Sequence, residues 1–337
     1  MAKKLTTVLE PSDEYPHAPD DVANYNESMY LNAFDVEREL GGWFRLGNRV
    51  NEGYAEMTVC IYLPGGRVGF VYARPQIDTN DKMSAGGLTI EVVEPFKHLT
   101  VTFEGKICVL DDPLQMAEPR TAFKNNPWVT CEVNLDFFGV SPMYGGRPVY
   151  EDGTEPEIDA TNSFAKAHYE QHCAARGTIR VGDETFELDG LGLRDKSWGP
   201  RYWQAISWYR WLPIVFSPEF SMVISTVGGK PGGVVLVGDE YHKIRAVEID
   251  SDWDEHRYQR AMRCVVTTDS DTYTVTGEVL SLIPLRNRRT DPDGNELITR
   301  ITEAMTRYEC NGLRGVGMSE YLDQIVDGEP VGPDVKR

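Results

Sequence analysis

Short alternating runs of apolar and polar residues dominate the first half of the chain and predict β-strands. The clearest run is Tyr54–Leu63, whose two faces carry Ala55, Met57, Val59, Ile61 and Tyr54, Glu56, Thr58, Cys60, Tyr62. Pro64-Gly65-Gly66-Arg67 predicts a hairpin turn into the strand Val68–Ala73. Further strands are predicted at Trp43–Arg49, Leu88–Val93, Leu99–Phe103, Lys106–Leu110 and Val129–Phe137. The succession is typical of an antiparallel meander in a barrel or a sandwich.

The same pattern returns in the second half. Strands are predicted at Gly177–Val181, Thr185–Leu188, Ser221–Val227, Val234–Val237, Lys243–Ile249, Met262–Thr268, Tyr273–Leu282, Ile298–Cys310 and Val316–Tyr321. Residues 5–30 are predicted to be an irregular lead-in, and Pro142–Glu157 a long loop. One helix is predicted at Asn162–His172, with Thr161 or Asn162 as its cap. At 337 residues the chain is long for one core, so we expect two β domains, residues 1–165 and 166–337.

Aromatic and charged residues are concentrated in one segment in the middle of the chain. Four of the seven tryptophans and two tyrosines fall within Trp198–Trp211, namely Trp198, Trp203, Trp208, Trp211, Tyr202 and Tyr209. Arg194, Asp195, Lys196 and Arg201 lie among or just before them. Such a mixture suits a wall where an apolar ligand meets fixed charges, but aromatic stripes also occur in ordinary cores. Both interpretations stay open from the pattern alone.

The overall charge excludes some classes of partner. The chain has 53 Asp and Glu against 34 Lys and Arg, a formal net charge of −19, which repels nucleic acid and anionic lipid. No apolar run approaches the roughly 20 residues of a membrane span, and the N-terminus lacks the apolar core of a signal peptide. The six cysteines are scattered without a CxxC pair, as expected of buried thiols in a cytoplasmic protein.

Motifs for cofactors and metals are not found. Gly228–Gly233 superficially resembles a phosphate loop, but it precedes a valine-rich strand and is better explained as a hairpin tip. The acidic loop Asp250–His256 lacks the spacing of a calcium loop, and the six histidines lack zinc-ligand spacing. No GxGxxG follows a strand. We therefore expect neither a metal nor an organic cofactor.

Two carboxylates are candidates for proton chemistry. Glu56 shares a strand face with Tyr54 and Tyr62, so if that face lines a barrel lumen, burial raises the pKa of Glu56. The alternative is that this face meets solvent. Asp195 lies between Arg194 and Lys196, so we expect it to stay ionised, as a proton acceptor, an orienting group or a structural ion pair.

The segment Gly192–Trp203 closely resembles the RD(H/R)SWG-R-W signature of the two-domain lipocalin-like superfamily. That group includes AttH-like proteins, carotenoid 1,2-hydratase (hydroxyneurosporene synthase), kievitone hydratase and fungal Diels–Alderases. Further matching segments are Gly47–Glu56, Val92–Phe96, Gly139–Met143 and Gly315–Tyr321, so the resemblance covers most of the chain and points to an uncharacterised bacterial branch.

The resemblance implies two calycin-like antiparallel β-barrels with a hydrophobic pocket in or between them. Asp195, Ser197, Trp198 and Arg201 match the motif, whereas Lys196 stands where the hydratases have histidine. The hydratases' Tyr-x-Asp strand falls near Met222–Ser225, where this chain has no acid. Any acid chemistry would therefore use another carboxyl group, such as Glu56 or Glu320.

These observations lead to two hypotheses about function. In the first, the chain is a cofactor-independent hydratase, dehydratase or isomerase acting on a terpenoid, steroid or similar lipid. The predicted catalytic residues are Glu56, Asp195 and Lys196, and the predicted ligand contacts are Arg45, Asn48, Tyr54, Arg194, Trp198, Arg201, Trp203, Trp208, Tyr209 and Glu320. In the second, the same pocket carries a hydrophobic ligand without turnover. A homodimer is a further expectation, and neither hypothesis involves nucleic acid.

Overall fold

The first part of the chain closes into an antiparallel barrel. The computed structural model describes residues 5–160, 163–290 and 293–333. Within them, the first sheet contains β1 (Leu5–Val8), β2 (Tyr25–Asp35), β3 (Leu40–Arg49), β4 (Tyr54–Tyr62), β5 (Val68–Ala73), β6 (Ser84–Ala85), β7 (Leu88–Glu94), β8 (His98–Leu110), β9 (Trp128–Gly139), β10 (Tyr144–Tyr150), β11 (Ala167–Val181) and β12 (Glu184–Pro200). β9 pairs with both β8 and β11, so β11-β12-β2-β3-β4-β5-β8-β9 is a closed ring.

The second part closes in a simpler way. Its strands are β13 (Trp208–Ser217), β14 (Phe220–Val227), β15 (Lys230–Val237), β16 (Glu240–Trp253), β17 (Gln259–Thr268), β18 (Thr272–Thr290), β19 (Glu296–Cys310), β20 (Leu313–Val326) and β21 (Glu329–Pro330). Each strand from β13 to β20 pairs with the next, and β13 also pairs with β20. The predicted all-β, two-barrel fold is therefore confirmed.

Helices are few and short in the described residues. The α-helix is α1 (Pro119–Asn125), and 3-10 turns lie at Pro11–Glu14, Val50–Glu52, Pro64–Gly66, Pro113–Ala117 and Trp203–Ala205. None of the described helices has the length and hydropathy needed to cross a membrane. All six cysteines are buried thiols outside disulfides, as predicted.

Strand alternation sorts the apolar residues into three cores. On β4, Met57, Val59 and Ile61 point into the first barrel, while Cys60 and Tyr62 belong to a separate cluster that also contains residues of β19 and β20. A third cluster fills the second barrel. The β4 face that carries Glu56 therefore meets neither solvent nor the barrel lumen. It faces the other barrel.

Three predictions of local structure are wrong. The described part of the predicted helix Asn162–His172 leads into strand β11, while its proposed cap, Thr161 or Asn162, lies outside the described residues. β10 occupies part of the predicted loop, and β2 begins within the predicted lead-in. Residues Tyr169–Cys173 of β11 are buried on both faces, so the chain shows no alternation there to indicate a strand.

The barrels also mark where the chain passes from one sheet to the other. β12 ends at Pro200 in the first sheet, and β13 begins at Trp208 in the second. The predicted domain boundary, between residues 165 and 166, lies before β11. Both β11 and β12 are members of the first ring, because β11 pairs with β9 and β12 pairs with β2.

Candidate active site

A cavity of about 790 Å³ lies between the two barrels. Its wall on the first barrel includes a row of side chains at paired positions on seven neighbouring strands, β10-β11-β12-β2-β3-β4-β5. In that order the row is Tyr144, Glu170, Asp195, Tyr30, Arg45, Thr58 and Tyr72. The volume is in the range of pockets that enclose a small organic molecule.

The opposite wall is a matching row on the second barrel. Across β15-β14-β13-β20-β19 the paired positions are Gly232, Ser225, Trp211, Glu320 and Glu303. The two rows touch, because the indole N–H of Trp211 donates a 2.7 Å hydrogen bond to Glu170 of the first barrel. Apolar lining comes from Trp43, Phe70, Met116, Phe123, Trp203 and Leu285.

Two carboxyl groups of the second barrel lie side by side in this cavity. Glu303 and Glu320 are directly opposite each other on β19 and β20. The Tyr209 hydroxyl donates to Glu320, and the Tyr30 hydroxyl donates to Glu303 at 3.4 Å. Burial, with a smaller effect of the charge of Asp195, raises the pKa of Glu320 to about 7. Burial and the charge of Glu320 raise the pKa of Glu303 well above its usual range, so the pair holds a proton at neutral pH.

The first barrel supplies a charged pair to the same cavity. His168 Nε2 contacts Asp195 Oδ2 and lies 3.9 Å from Glu170 Oε1. Although burial lowers the pKa of His168, the neighbouring carboxylates outweigh it and raise the pKa to about 9. Nearly half of the His168 side chain, 46%, is exposed, and it lines the cavity. The cavity therefore holds an imidazolium paired with Asp195 and facing a protonated carboxyl pair.

His168, Glu170 and Asp195 also offer three metal-ligand atoms. These atoms lie within 4.8 Å of one another, and no other such trio occurs in the part of the chain that the structure describes. Each side chain already has a partner within the protein, because Trp211 donates to Glu170 and His168 contacts Asp195. The trio is therefore satisfied by hydrogen bonding and ion pairing without an ion.

Glu56 lines the cavity, but its electrostatic environment is the opposite of the expected one. Burial would raise its pKa, yet the guanidinium groups of Arg45 and Arg49 outweigh burial and lower it. Arg45 Nη1 lies 3.2 Å from Glu56 Oε2, and Arg74 Nη2 lies 3.7 Å from Oε1. Glu56 is thus an ionised partner of arginines rather than a proton donor.

Seven of the predicted site residues line the cavity, namely Arg45, Glu56, Asp195, Arg201, Trp203, Tyr209 and Glu320. Arg194, Lys196 and Trp198 alternate with Asp195 and Ser197 on β12, so their side chains lie on the other face of the strand. Arg194 pairs with Glu14 at 2.7 Å, and Lys196 pairs with Glu27 at 2.5 Å. Trp198 stacks on His17 with 4.0 Å between ring centroids. These three hold the N-terminal segment 10–17 against the first barrel.

The remaining predicted contacts also lie outside the cavity lining. Asn48 donates to Asn80 and to the carbonyl of Lys82, and Tyr54 packs under Arg74. The ring of Trp208 packs against Arg210. Sequence reasoning missed Tyr30, His168, Glu170, Trp211 and Glu303. A single acid inside the apolar stretch Ile301–Met305 was the one available signal for Glu303.

Replacing Glu320 with glutamine is expected to change the dependence of stability on pH. Because the pKa of Glu320 rises from 4.5 in the unfolded chain to about 7 in the folded protein, the folded state binds this proton more tightly than the unfolded state does. The resulting stabilisation is complete below pH 4.5 and is lost as the pH rises through 7, by about 3 kcal/mol. Urea unfolding at pH 5 and pH 8 measures the effect. The free energy of unfolding of E320Q, relative to that of the wild type, should be higher at pH 8 than at pH 5.

The exposed carboxylate Glu309 on the neighbouring strand β19 provides the matched control, since E309Q should follow the wild-type pH dependence. Identical pH dependence in E320Q and the wild type would show that the carboxyl pair does not hold the proton.

The fold defines a protein of two packed β-barrels with a cavity between them. The fold is shared with an AttH-type protein from Nitrosomonas europaea, at a TM-score of 0.62, 11% identity and coverage of 94% of this chain and 96% of that one. Kievitone hydratase from Nectria haematococca matches at a TM-score of 0.54, with 10% identity and coverage of 94% of this chain and 93% of that one. CghA matches at a TM-score of 0.51, with 10% identity and coverage of 95% of this chain and 97% of that one.

The chain belongs to the family described as domain of unknown function DUF7064, whose model matches residues 10–325. Comparison with curated protein sequences finds no match. The resemblance to the AttH, hydratase and Diels–Alderase group is confirmed, and at these identities the likeness is one of fold.

Proposed function

We propose that the protein is a cofactor-independent enzyme that adds water to a C=C bond, removes it, or shifts the bond, in a hydrophobic small molecule of terpenoid or steroid type. The observation that carries the proposal is that the Glu320 carboxyl group, whose pKa burial raises to about 7, shares one cavity with the His168–Asp195 pair. Two titratable groups whose environments push their pKa values apart are the usual candidates for the acid and the base of a reaction.

The hydration step follows from these positions. The Glu320 carboxyl gives its proton to one alkene carbon, and the faces of Trp203 and Trp211 stabilise the positive charge that develops on the other. A water molecule attacks that carbon and Asp195 takes its proton, leaving a C–H and a C–OH bond in place of the C=C bond. Dehydration is the reverse, with the proton for the departing hydroxyl coming from the His168–Asp195 pair. After hydration, Asp195 releases its proton to solvent, and solvent returns a proton to Glu320.

The two barrels support this chemistry by holding the acid and the base on opposite walls. Glu320 belongs to the second barrel and Asp195 to the first, yet the charge of Asp195 contributes to the raised pKa of Glu320. Burial by the surrounding aromatic rings keeps bulk water from the cation and strengthens these electrostatic interactions. The solved relatives include a hydratase by name, which is consistent with this reaction class. The burial of all six cysteine thiols is consistent with a reducing, cytoplasmic location.

Isotope exchange tests the proposal in whichever direction the reaction runs. Any co-purified ligand is identified by native mass spectrometry and extraction. The protein is then incubated with that ligand or with a panel of terpenoid and steroid alcohols and alkenes in H₂¹⁸O and in D₂O. Reversible hydration should introduce ¹⁸O at the hydroxyl carbon and deuterium at the neighbouring carbon. An isomerase should introduce deuterium alone.

Dialysis against a chelator is the control for the His168–Glu170–Asp195 trio. We expect exchange to survive it unchanged, because the three side chains are already satisfied by protein partners. Loss of exchange that returns with a divalent cation would contradict the cofactor-independent reaction.

A non-catalytic carrier is the second candidate function. It is favoured by β14, whose cavity-lining residues Val223 and Ser225 offer no acid at the position where the hydratases are expected to have one. Tight ligand binding without isotope exchange in either solvent would support this alternative and would overturn the enzymatic one.

A further inference from the structure

Two arginines at one end of the cavity have buried guanidinium nitrogens without hydrogen-bond partners. Arg201 is only 6% exposed, and among the described residues its nitrogens have no carboxylate within 4.0 Å. One of them, Nη2, donates to the Ser197 hydroxyl at 2.6 Å, and the buried Nε has no hydrogen-bond partner. Arg45 uses Nη1 to bind Glu56, and its buried Nη2 has no partner. Both side chains line the cavity.

The charges at this end do not balance. Arg201 is buried and Arg45 mostly so, and in the described residues Glu56 is the one carboxylate within 4.0 Å of either guanidinium group, which leaves Arg201 without an ion-pair partner. Arg74, half-exposed, is a second arginine partner of Glu56, at 3.7 Å. Burial and the charge of Arg45 together lower the pKa of Arg201 to about 10, and the charges of Asp195 and Glu56 do not outweigh them. A buried charge without a partner is costly, so such a group is a strong indication of a missing ligand.

Aromatic rings hold the two guanidinium groups in fixed positions. The Arg201 guanidinium lies 3.8 Å from the centroid of the Phe164 ring and 5.5 Å from that of Trp203. Arg45 lies 5.8 Å from the same Trp203 ring. A Cβ added at Gly47 would lie 2.9 Å from Arg45 Nη2, so the glycine leaves room for that guanidinium. Stacked, restrained guanidinium groups suit bidentate binding of a planar anion.

We propose that Arg201 and Arg45 bind the carboxylate of an amphipathic ligand, so that the molecule taken into the cavity is a hydrophobic carboxylic acid. The two unpartnered guanidinium nitrogens, Arg201 Nε and Arg45 Nη2, match in number the two oxygens of a carboxylate. The apolar part of the ligand would lie against Trp43 and Phe70, which line the same wall as Arg45. This inference rests on the cavity of the proposed function and specifies its ligand class.

Binding of matched retinoids tests the inference without turnover. Retinoic acid, retinol and retinyl phosphate share one isoprenoid body and differ in the terminal group, and quenching of tryptophan fluorescence reports their affinities. We expect the wild-type protein to bind retinoic acid at least 10-fold more tightly than retinol. In R201M, affinity for the acid should fall about 10- to 100-fold, to the level of the alcohol, while affinity for retinol stays unchanged.

The control variant is R67M, whose arginine pairs with Glu184 on the surface outside the cavity lining and should leave all three affinities unchanged. Because R201M removes an uncompensated buried charge, its melting temperature should equal or exceed that of the wild type, which monitors folding. R201K tests geometry, since it keeps the charge and loses the planar fork, and it should recover only part of the preference for the acid.

Equal wild-type affinities for acid and alcohol, or no binding of the acid, would overturn the inference. Tighter binding of retinyl phosphate than of the acid would overturn the assignment to a carboxylate. These outcomes are independent of isotope exchange, because a carrier without turnover would still prefer the acid, and an enzyme for neutral ligands would exchange isotope without that preference.

Discussion

Glu320→Gln is expected to lower kcat for isotope exchange by about 10²- to 10⁴-fold, the usual contribution of a positioned general acid. Glutamine has the shape of the protonated carboxyl group and can still accept the hydrogen bond from Tyr209, so ligand affinity should change little. It has no transferable proton at neutral pH. The measurement is the rate of ¹⁸O and deuterium incorporation at saturating ligand, with the dissociation constant determined separately.

The pH profile separates this role from a structural one. Because the Glu320 acid must be protonated, wild-type kcat should fall as the pH rises through about 7. Glu303→Gln removes the neighbouring charge but leaves the Glu320 carboxyl group in place, so this variant should remain active with an altered profile. E309Q, on the exposed side of β19, should match the wild type. If E320Q retained the wild-type rate, Glu320 would not be the acid.

Lys196→Met is expected to lower the free energy of unfolding by about 3–5 kcal/mol, as when one partner of a buried ion pair is removed. Lys196 Nζ donates to the carbonyls of Asp13 and Tyr15 at 2.8 and 3.1 Å and to Glu27 at 2.5 Å. Its side chain is 1% exposed, and that of Glu27 is fully buried. Methionine keeps the length of the side chain and leaves the Glu27 carboxylate without its strongest cation.

Urea unfolding at pH 7 measures this effect. The control is K97M, since Lys97 and its partner Glu94 are mostly exposed and their pair should contribute under about 1 kcal/mol. K196M/E27Q should regain part of the loss, because it removes the orphaned carboxylate. Loss of anchoring should also make residues 10–17 more accessible to proteases. A K196M midpoint no lower than that of K97M would show that the ion pair does not fasten this segment.

The loss of stability in acid provides a second measurement on the Lys196–Glu27 ion pair. Although burial would raise the pKa of Glu27, hydrogen bonding to His17 and the charge of Lys196 lower it from 4.5 to about 2. The associated stabilisation is present above pH 4.5 and is lost as the pH falls toward 2. K196M should therefore lose less stability than the wild type over this range, because its Glu27 pKa is closer to the usual value.

Strands whose two faces differ in polarity could be predicted from the sequence, and strands with polar and apolar residues mixed on both buried faces could not. The alternation of β4 is visible because it separates the apolar first core from a face that carries Glu56 and Thr58. β11 and β13 lie between a barrel core and other packed surfaces, so apolar and polar residues are buried on both sides and the period of two disappears. The same loss of pattern made Asn162–His172 resemble a helix.

Because a helix was predicted there, the two site residues on β11 could not be predicted. In a helix, His168 and Glu170 would point about 200° apart, whereas in a strand they share one face. The pairing of β11 with β12 then brings both to Asp195. Glu303 and Glu320 are likewise brought together by the pairing of β19 with β20. Their separation along the chain gives no indication of that contact.

The sequence by itself determined the all-β class, the two barrels, the buried thiols and several residues of the cavity, since alternation and the motif around Asp195 are local properties. Only the tertiary structure decided which charged residues share a space. Asp195 and Lys196 are neighbours in the chain, yet one lines the cavity and the other is buried against the N-terminal segment. The reason is geometric, because successive residues of a strand face opposite ways and what covers each face depends on packing between distant strands.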